Sequence, residues 1–160
     1  MDVEKFTDRA RGFVQSAQSL ATREGNQQFT SLHLLKVLLD DEEGLVSGLV
    51  ERAGGSARML LSVTETELVK LPKVTGGSGQ VYLASEAARL LSAAEKLAQK
   101  AGDSFVTVER LFQATLEDKQ SDAGKILVRS GLDAALLAAA IDRLRKGRTA
   151  DSASAENAYD

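Results

Sequence analysis

The sequence predicts an all-α fold: two four-helix repeats related by a pseudo-twofold and joined by a glycine-rich connector. Three observations predict it. A shift of 77 positions lays residues 6–68 over residues 83–145, matching Ala10 with Ala87, Ala17 with Ala94, Gly25 with Gly102, Thr30 with Thr107 and Leu60 with Leu137. That is one supersecondary unit written twice. Apolar residues recur at helical spacing through both copies. No segment alternates with period two over the length of a strand.

The first helix is expected over about Phe6 to Arg23, with Ala10, Val14, Ala17 and Ala21 on one stripe. Gly25 ends it, and Arg23 lies in the last turn where a cation suits the helix dipole. Thr30 is read as the N-cap of the second helix, which carries Leu32, Leu35, Leu38 and Leu39. The acidic turn Asp40-Asp41-Glu42-Glu43-Gly44 leads to a third helix, Leu45 to Arg52, stopped at Gly54-Gly55. Ser56 caps a fourth, with Met59, Leu60, Val63 and Leu68. Pro72 and the run Gly76-Gly77-Ser78-Gly79 then read as a connector. The second copy repeats the plan. A helix from Ala84 or Ser85 ends at Gly102, and Thr107 caps the next, which runs to about Glu117. A short third starts at Asp122 or Ala123, and Asp133 caps the last. The domain is set at 1–147, with repeat 1 over about 1–71, the connector over 72–82 and repeat 2 over about 83–147. Residues 148–160 are small and polar and read as a flexible linker.

Composition narrows the chemistry. There is no cysteine, which removes disulfides, thiolate metal sites and cysteine nucleophiles and suits a reducing compartment. The formal charge of −3 argues against nucleic acid as a partner. No apolar run is long enough to span a bilayer, and the acidic N-terminus does not read as a signal peptide, so the cytoplasm is the expected compartment. His33 is the only histidine and has no second ligand to build a metal site around it. The Asp40–Glu43 run lacks the spacing of a calcium loop, and no phosphate-loop motif occurs, so neither metal nor nucleotide is expected here. Leu90, Leu91 and Leu111 read as bundle core, while Leu97 and Phe105 suit core and the wall of a binding groove equally. Asp103 follows Gly102 in a turn and Glu109 sits in a first helical turn; both read as exposed, and Thr7 reads as a cap.

Read together, Glu4-Lys5-Phe6-Thr7, His33-Leu34-Leu35, Leu38 through Gly44, Leu71-Pro72-Lys73-Val74 and Lys96 through Phe105 resemble the N-terminal domains of the Clp ATPases, the double Clp N motif, most of all those of the ClpB disaggregases. The resemblance covers essentially the whole chain, and the tail Ser152 to Tyr159 looks like the start of a linker into an ATPase ring absent from this sequence. It implies a chaperone part and no enzyme: a module that captures exposed segments of unfolded or misfolded proteins and passes them to a hexameric ring. ATP and magnesium would belong to that ring. The isolated domain would be a monomer within a homohexameric machine, binding neither nucleic acid nor membrane. The resemblance carries substrate-binding roles onto Thr7, Leu97, Asp103 and Glu109, and Phe105 joins them as a candidate for the groove wall. Ala93 and Arg110 depart from the larger apolar residues such domains carry there. An adaptor-docking domain of the ClpA or ClpC kind is the alternative.

Overall fold

A computed structural model describes residues 3–74 and 79–156. Eight α-helices dominate it: α1 Asp8–Arg23, α2 Ser31–Leu39, α3 Leu45–Arg52, α4 Ala57–Val69, α5 Ser85–Lys100, α6 Val108–Glu117, α7 Asp122–Arg129 and α8 Ala134–Arg145. The shift of 77 maps α1 onto α5 and α3 onto α7 end to end. The expected caps Thr7, Thr30, Ser56 and Asp133 each accept a backbone N–H of the following turn, and Ser121 does the same for α7; Thr107 stands at the N-cap of α6 but makes no side-chain cap bond. Gly25 and Gly102 both take left-handed backbone, φ +73 and +82, just past the ends of α1 and α5. An L side chain is disfavoured there by the clash of Cβ with the carbonyl, which is why glycine ends both helices.

Two features depart from the expected all-helical layout. Phe6 is not helical; it forms a parallel bridge with Val106. Two short strands, β1 Gln28–Phe29 and β2 Tyr82–Leu83, pair in parallel, Phe29 opposite Leu83. The shift of 77 carries Phe6 onto Leu83 and Phe29 onto Val106, so the two ladders are pseudo-equivalent. In each, the segment leading into one repeat pairs with the interhelix turn of the other. Thr7 N–H donates to the Val106 carbonyl at 2.9 Å, and Ala84 N–H donates to the Phe29 carbonyl at 3.0 Å. These runs are too short to show a period of two, so helical patterning hid them.

The reciprocal exchange fuses the repeats. Leu34, Leu38 and Leu49 of the first copy and Leu90, Leu111 and Leu127 of the second belong to one buried cluster. Truncating any of these to alanine is expected to cost about 2–5 kcal/mol.

The chain after α8 corrects the linker expected from residue 148. Lys146 and Gly147 turn it back through left-handed backbone. Ala150 is then buried against the α5–α6 turn, its carbonyl accepting the N–H groups of Ser104 and Phe105 at 2.9 and 3.0 Å. Asp8 N–H donates to the Ala153 carbonyl at 2.8 Å, and Glu156 is 1% exposed. Residues 71–74 after α4 follow the equivalent path: Val74 N–H donates to Gly25, and Asn26 bridges Lys73. Segments that look polar and free in sequence are therefore tied by their backbone groups, which composition does not report. Residues 75–78, in the connector, and 157–160 lie outside the described residues.

Candidate functional site

The five predicted site residues gather around the α5–α6 turn and the start of α6, in two classes. Thr7, Asp103 and Glu109 are buried, with exposures of 0, 6 and 0%. That corrects the exposed positions expected for Asp103 and Glu109. Arg145 at the end of α8 reaches both: its Nη1 and Nη2 donate to the Asp103 carboxylate at 2.9 and 2.6 Å, and its Nε to Glu109 at 2.5 Å. Nη2 also donates to the Thr107 hydroxyl at 3.2 Å, and Ala150 N–H donates to Asp103 at 2.9 Å. Arg110 adds a longer contact to Asp103 at 3.4 Å. Burial pushes the Asp103 carboxyl up; the bonds from Arg145 and Ala150, with the charges of Arg145 and Arg110, outweigh it and hold the group below the usual carboxylate range.

Thr7 has two tasks. Its hydroxyl oxygen caps α1 by accepting Ala10 N–H at 3.1 Å, and its O–H donates to the Glu156 carboxylate. The other oxygen of Glu156 accepts Val108 N–H at 2.8 Å, at the start of α6. At the matching place in repeat 1 the carboxylate comes from repeat 2: Glu86 of α5 accepts Ser31 N–H at 2.7 Å, at the start of α2. The shift of 77 places Arg9 of α1 where Glu86 stands on α5, so the tail supplies to α6 the carboxylate that α1 lacks. Burial raises the carboxyl pKa of Glu156, and Glu109 nearby adds to the shift; the Thr7 and Val108 bonds and the charge of Arg9 offset part of it.

Leu97 and Phe105 remain half-buried. Leu97 packs on the core edge beside Ala93. Their chain neighbours Ala98, Ser104 and Val106, with Lys5, Glu95 and Asp103, line a hollow of about 250 Å³. Phe6, Leu90, Leu91 and Leu111 are core and line no groove. With an alanine at position 93 and a guanidinium at 110, the apolar surface here is shallow.

His33, read as structural, is fully buried in a capping box. Thr30 N–H donates to its Nδ1 at 3.0 Å, which fixes the proton on Nε2, and Nε2 donates to Asn26 Oδ1 at 2.9 Å. Burial lowers its pKa to about 4, against a small opposing effect of Glu24. Among the described residues no group of three His, Asp or Glu is arranged to hold a metal, and no helix is long and apolar enough to cross a membrane.

Comparison with known proteins bears on the fold. The family model for the Clp repeat (R) N-terminal domain matches residues 5–130. The chain is 65% identical, over its whole length, to the chaperone protein ClpB of Rhodopseudomonas palustris, and 54% identical to that of Mesorhizobium japonicum. It spans 18% of the length of each. The Hsp104 N-terminal domain of Candida albicans superposes with a TM-score of 0.82 at 26% identity, covering 95% of this chain and 99% of that one. The N-terminal domain of an E. coli ClpV1 ATPase, at 20% identity and a TM-score of 0.74, shares the fold.

Proposed function

Since the chain belongs to the Clp repeat N-terminal domain family, we propose that it is the substrate-binding N-terminal module of a ClpB-type disaggregase. It holds exposed segments of unfolded or aggregated protein at the face around Leu97 and Phe105 and hands them to a hexameric ATPase ring. ATP, magnesium and the cytoplasmic setting belong to that larger machine. The observation that carries the reading is that two half-exposed apolar side chains, Leu97 and Phe105, have chain neighbours lining one hollow. Client segments are varied and apolar, and a shallow apolar patch with a polar rim takes them without demanding one sequence.

Thr7, Asp103 and Glu109 enter this reading as positioning residues. Their side chains are spent on Glu156 and Arg145, and they set where Phe105 and the α5–α6 turn lie. Affinity for a permanently unfolded protein tests the assignment. Leu97→Ser and Phe105→Ser should each weaken it roughly fivefold while keeping the helical circular dichroism, since each gives up about 1 kcal/mol of apolar burial. Unchanged affinity in the double variant would remove this face from the site. Preference for a compact folded partner over the unfolded one would favour adaptor docking.

A further inference from the structure

A second opening lies away from that face, where α1 meets the α2–α3 turn and the start of α6. It is a cleft of about 280 Å³ lined by the apolar Phe13, Leu45 and Val108 and by the charged Arg9, Asp41 and Glu43. Gly12 holds it open: a Cβ built there meets nothing within 4 Å. The pseudo-equivalent of Gly12 in repeat 2 is Arg89, and the equivalent of Asp41 is Asp118. There the guanidinium spans the same gap, Nε donating to Asp118 at 2.9 Å and Nη2 at 3.4 Å. The two turns are built alike. Gly44 N–H donates to the Asp41 carbonyl at 3.1 Å and Ser121 N–H to the Asp118 carbonyl at 3.2 Å, so the two carboxylates occupy matching places.

The difference leaves a half-built contact in repeat 1. Glu43 is paired with Arg9 at 3.5 Å and Asp40 with Lys36 at 3.0 Å. Among the described residues, the half-buried Asp41 carboxylate has no ion pair and no hydrogen bond.

We propose that this cleft is a receptor for an arginine side chain of an extended polypeptide. The guanidinium meets Asp41 as Arg89 meets Asp118, and an apolar neighbour in the bound segment lies over Phe13 and Leu45. Arginine fits better than lysine because a planar fork can engage both carboxylate oxygens. The proposal rests on the polypeptide-binding reading above and adds what a captured segment should carry.

The test is an amide-resolved NMR titration of this chain with a short end-capped peptide holding one arginine between two leucines, and with the same peptide carrying citrulline instead. Saturable shifts at Gly12, Phe13, Asp41 and Leu45, about fivefold weaker with citrulline, are expected. Asp41→Asn should weaken the arginine peptide by a similar factor. Gly12→Arg should abolish the shifts by supplying the side chain from within; it replaces glycine in a helix interior with open space around it, so the fold should hold. Equal binding of the two peptides, or undiminished binding to Gly12→Arg, would overturn the receptor. Shifts at Leu97 and Phe105 alone would do the same and leave the client-binding face standing. An unfolded protein that moves no amide, beside an arginine peptide that still moves Gly12 and Asp41, would overturn the client-binding function and support the receptor.

Discussion

The turn between the first two helices of each repeat is built on one backbone plan with two chemistries. In repeat 1 the plan is neutral: Asn26, Leu32, His33 and Leu68. In repeat 2 the same positions hold Asp103, Glu109, Arg110 and Arg145. Both pack without exposure at their centres: His33 and Glu109 are each 0% exposed. Asn26 ties down the chain after α4 by donating to the Pro72 carbonyl at 3.1 Å, and Asp103 does the same after α8 by accepting Ala150 N–H at 2.9 Å. The task of the turn is therefore to anchor the chain that follows its repeat. Either a hydrogen-bonded amide and imidazole or a buried ion cluster can do it. The ion cluster is the more fragile, because each charge depends on the others.

The largest expected effect comes from breaking that dependence. Arg145→Leu removes the shared cation of two buried carboxylates and should cost about 3–5 kcal/mol in urea unfolding. Converting repeat 2 to the chemistry of repeat 1, with Asp103→Asn, Glu109→Leu and Arg145→Leu together, should restore most of the loss. If the triple variant were no more stable than the single one, the two turns would not be interchangeable solutions.

Acid should separate the two turns. His33 is neutral in the folded chain with its pKa lowered to about 4. The unfolded chain therefore binds the proton first as pH falls below about 6.5, and stability drops between there and pH 4. The full loss is on the order of 3 kcal/mol. The depressed Asp103 works at lower pH: its contribution is present above the ordinary carboxylate range and lost as pH falls through its folded value. His33→Gln should flatten the urea midpoint over the upper window and leave the lower one in place. A midpoint that stays flat from pH 6.5 to 4 in the parent chain would contradict the neutral capping role.

A smaller effect is expected at the tail. Deleting residues after Gly147 removes the Ala150 anchor and the Glu156 carboxylate from repeat 2, while repeat 1 keeps Glu86. About 2 kcal/mol should be lost, the worth of a few buried hydrogen bonds. Glu156→Gln should lose part of that and raise hydrogen exchange at the Val108 amide, with the Ser31 amide unchanged. Equal exchange at both amides in the parent and variant chains would remove the asymmetry.

The helices were legible because their signals are local: stripe, cap and terminal glycine, repeated at a fixed shift. Leu45–Arg52 and its pseudo-equivalent needed nothing more. Phe6 was misread because an apolar residue before a cap looks the same whether it opens a helix or bridges a strand across the molecule. Asp103 and Glu109 looked exposed because each, alone, suits a turn or a first helical turn, and their partner lies on α8. A signal was nevertheless present. Four charges, two of each sign, replace four neutral residues at matched positions, Asp103 for Asn26, Glu109 for Leu32, Arg110 for His33 and Arg145 for Leu68, as compensating buried charges would. The same shift lays 71–74 over 148–151 without one shared residue, so only their backbone bonds reveal the tail as part of the fold. Gly12 opposite Arg89 was likewise visible as a mismatch, but only the structure turns it into a cleft.

The face at Leu97 and Phe105 is the centre of the proposed function. The direct measurement is an amide-resolved NMR titration of this chain with a permanently unfolded protein, with a compact folded protein as control. Shifts at Leu97, Phe105 and the surrounding hollow, seen with the unfolded protein and absent with the folded one, are what a client-capturing domain predicts. No shift at either residue, or the same shifts with the folded control, would contradict it.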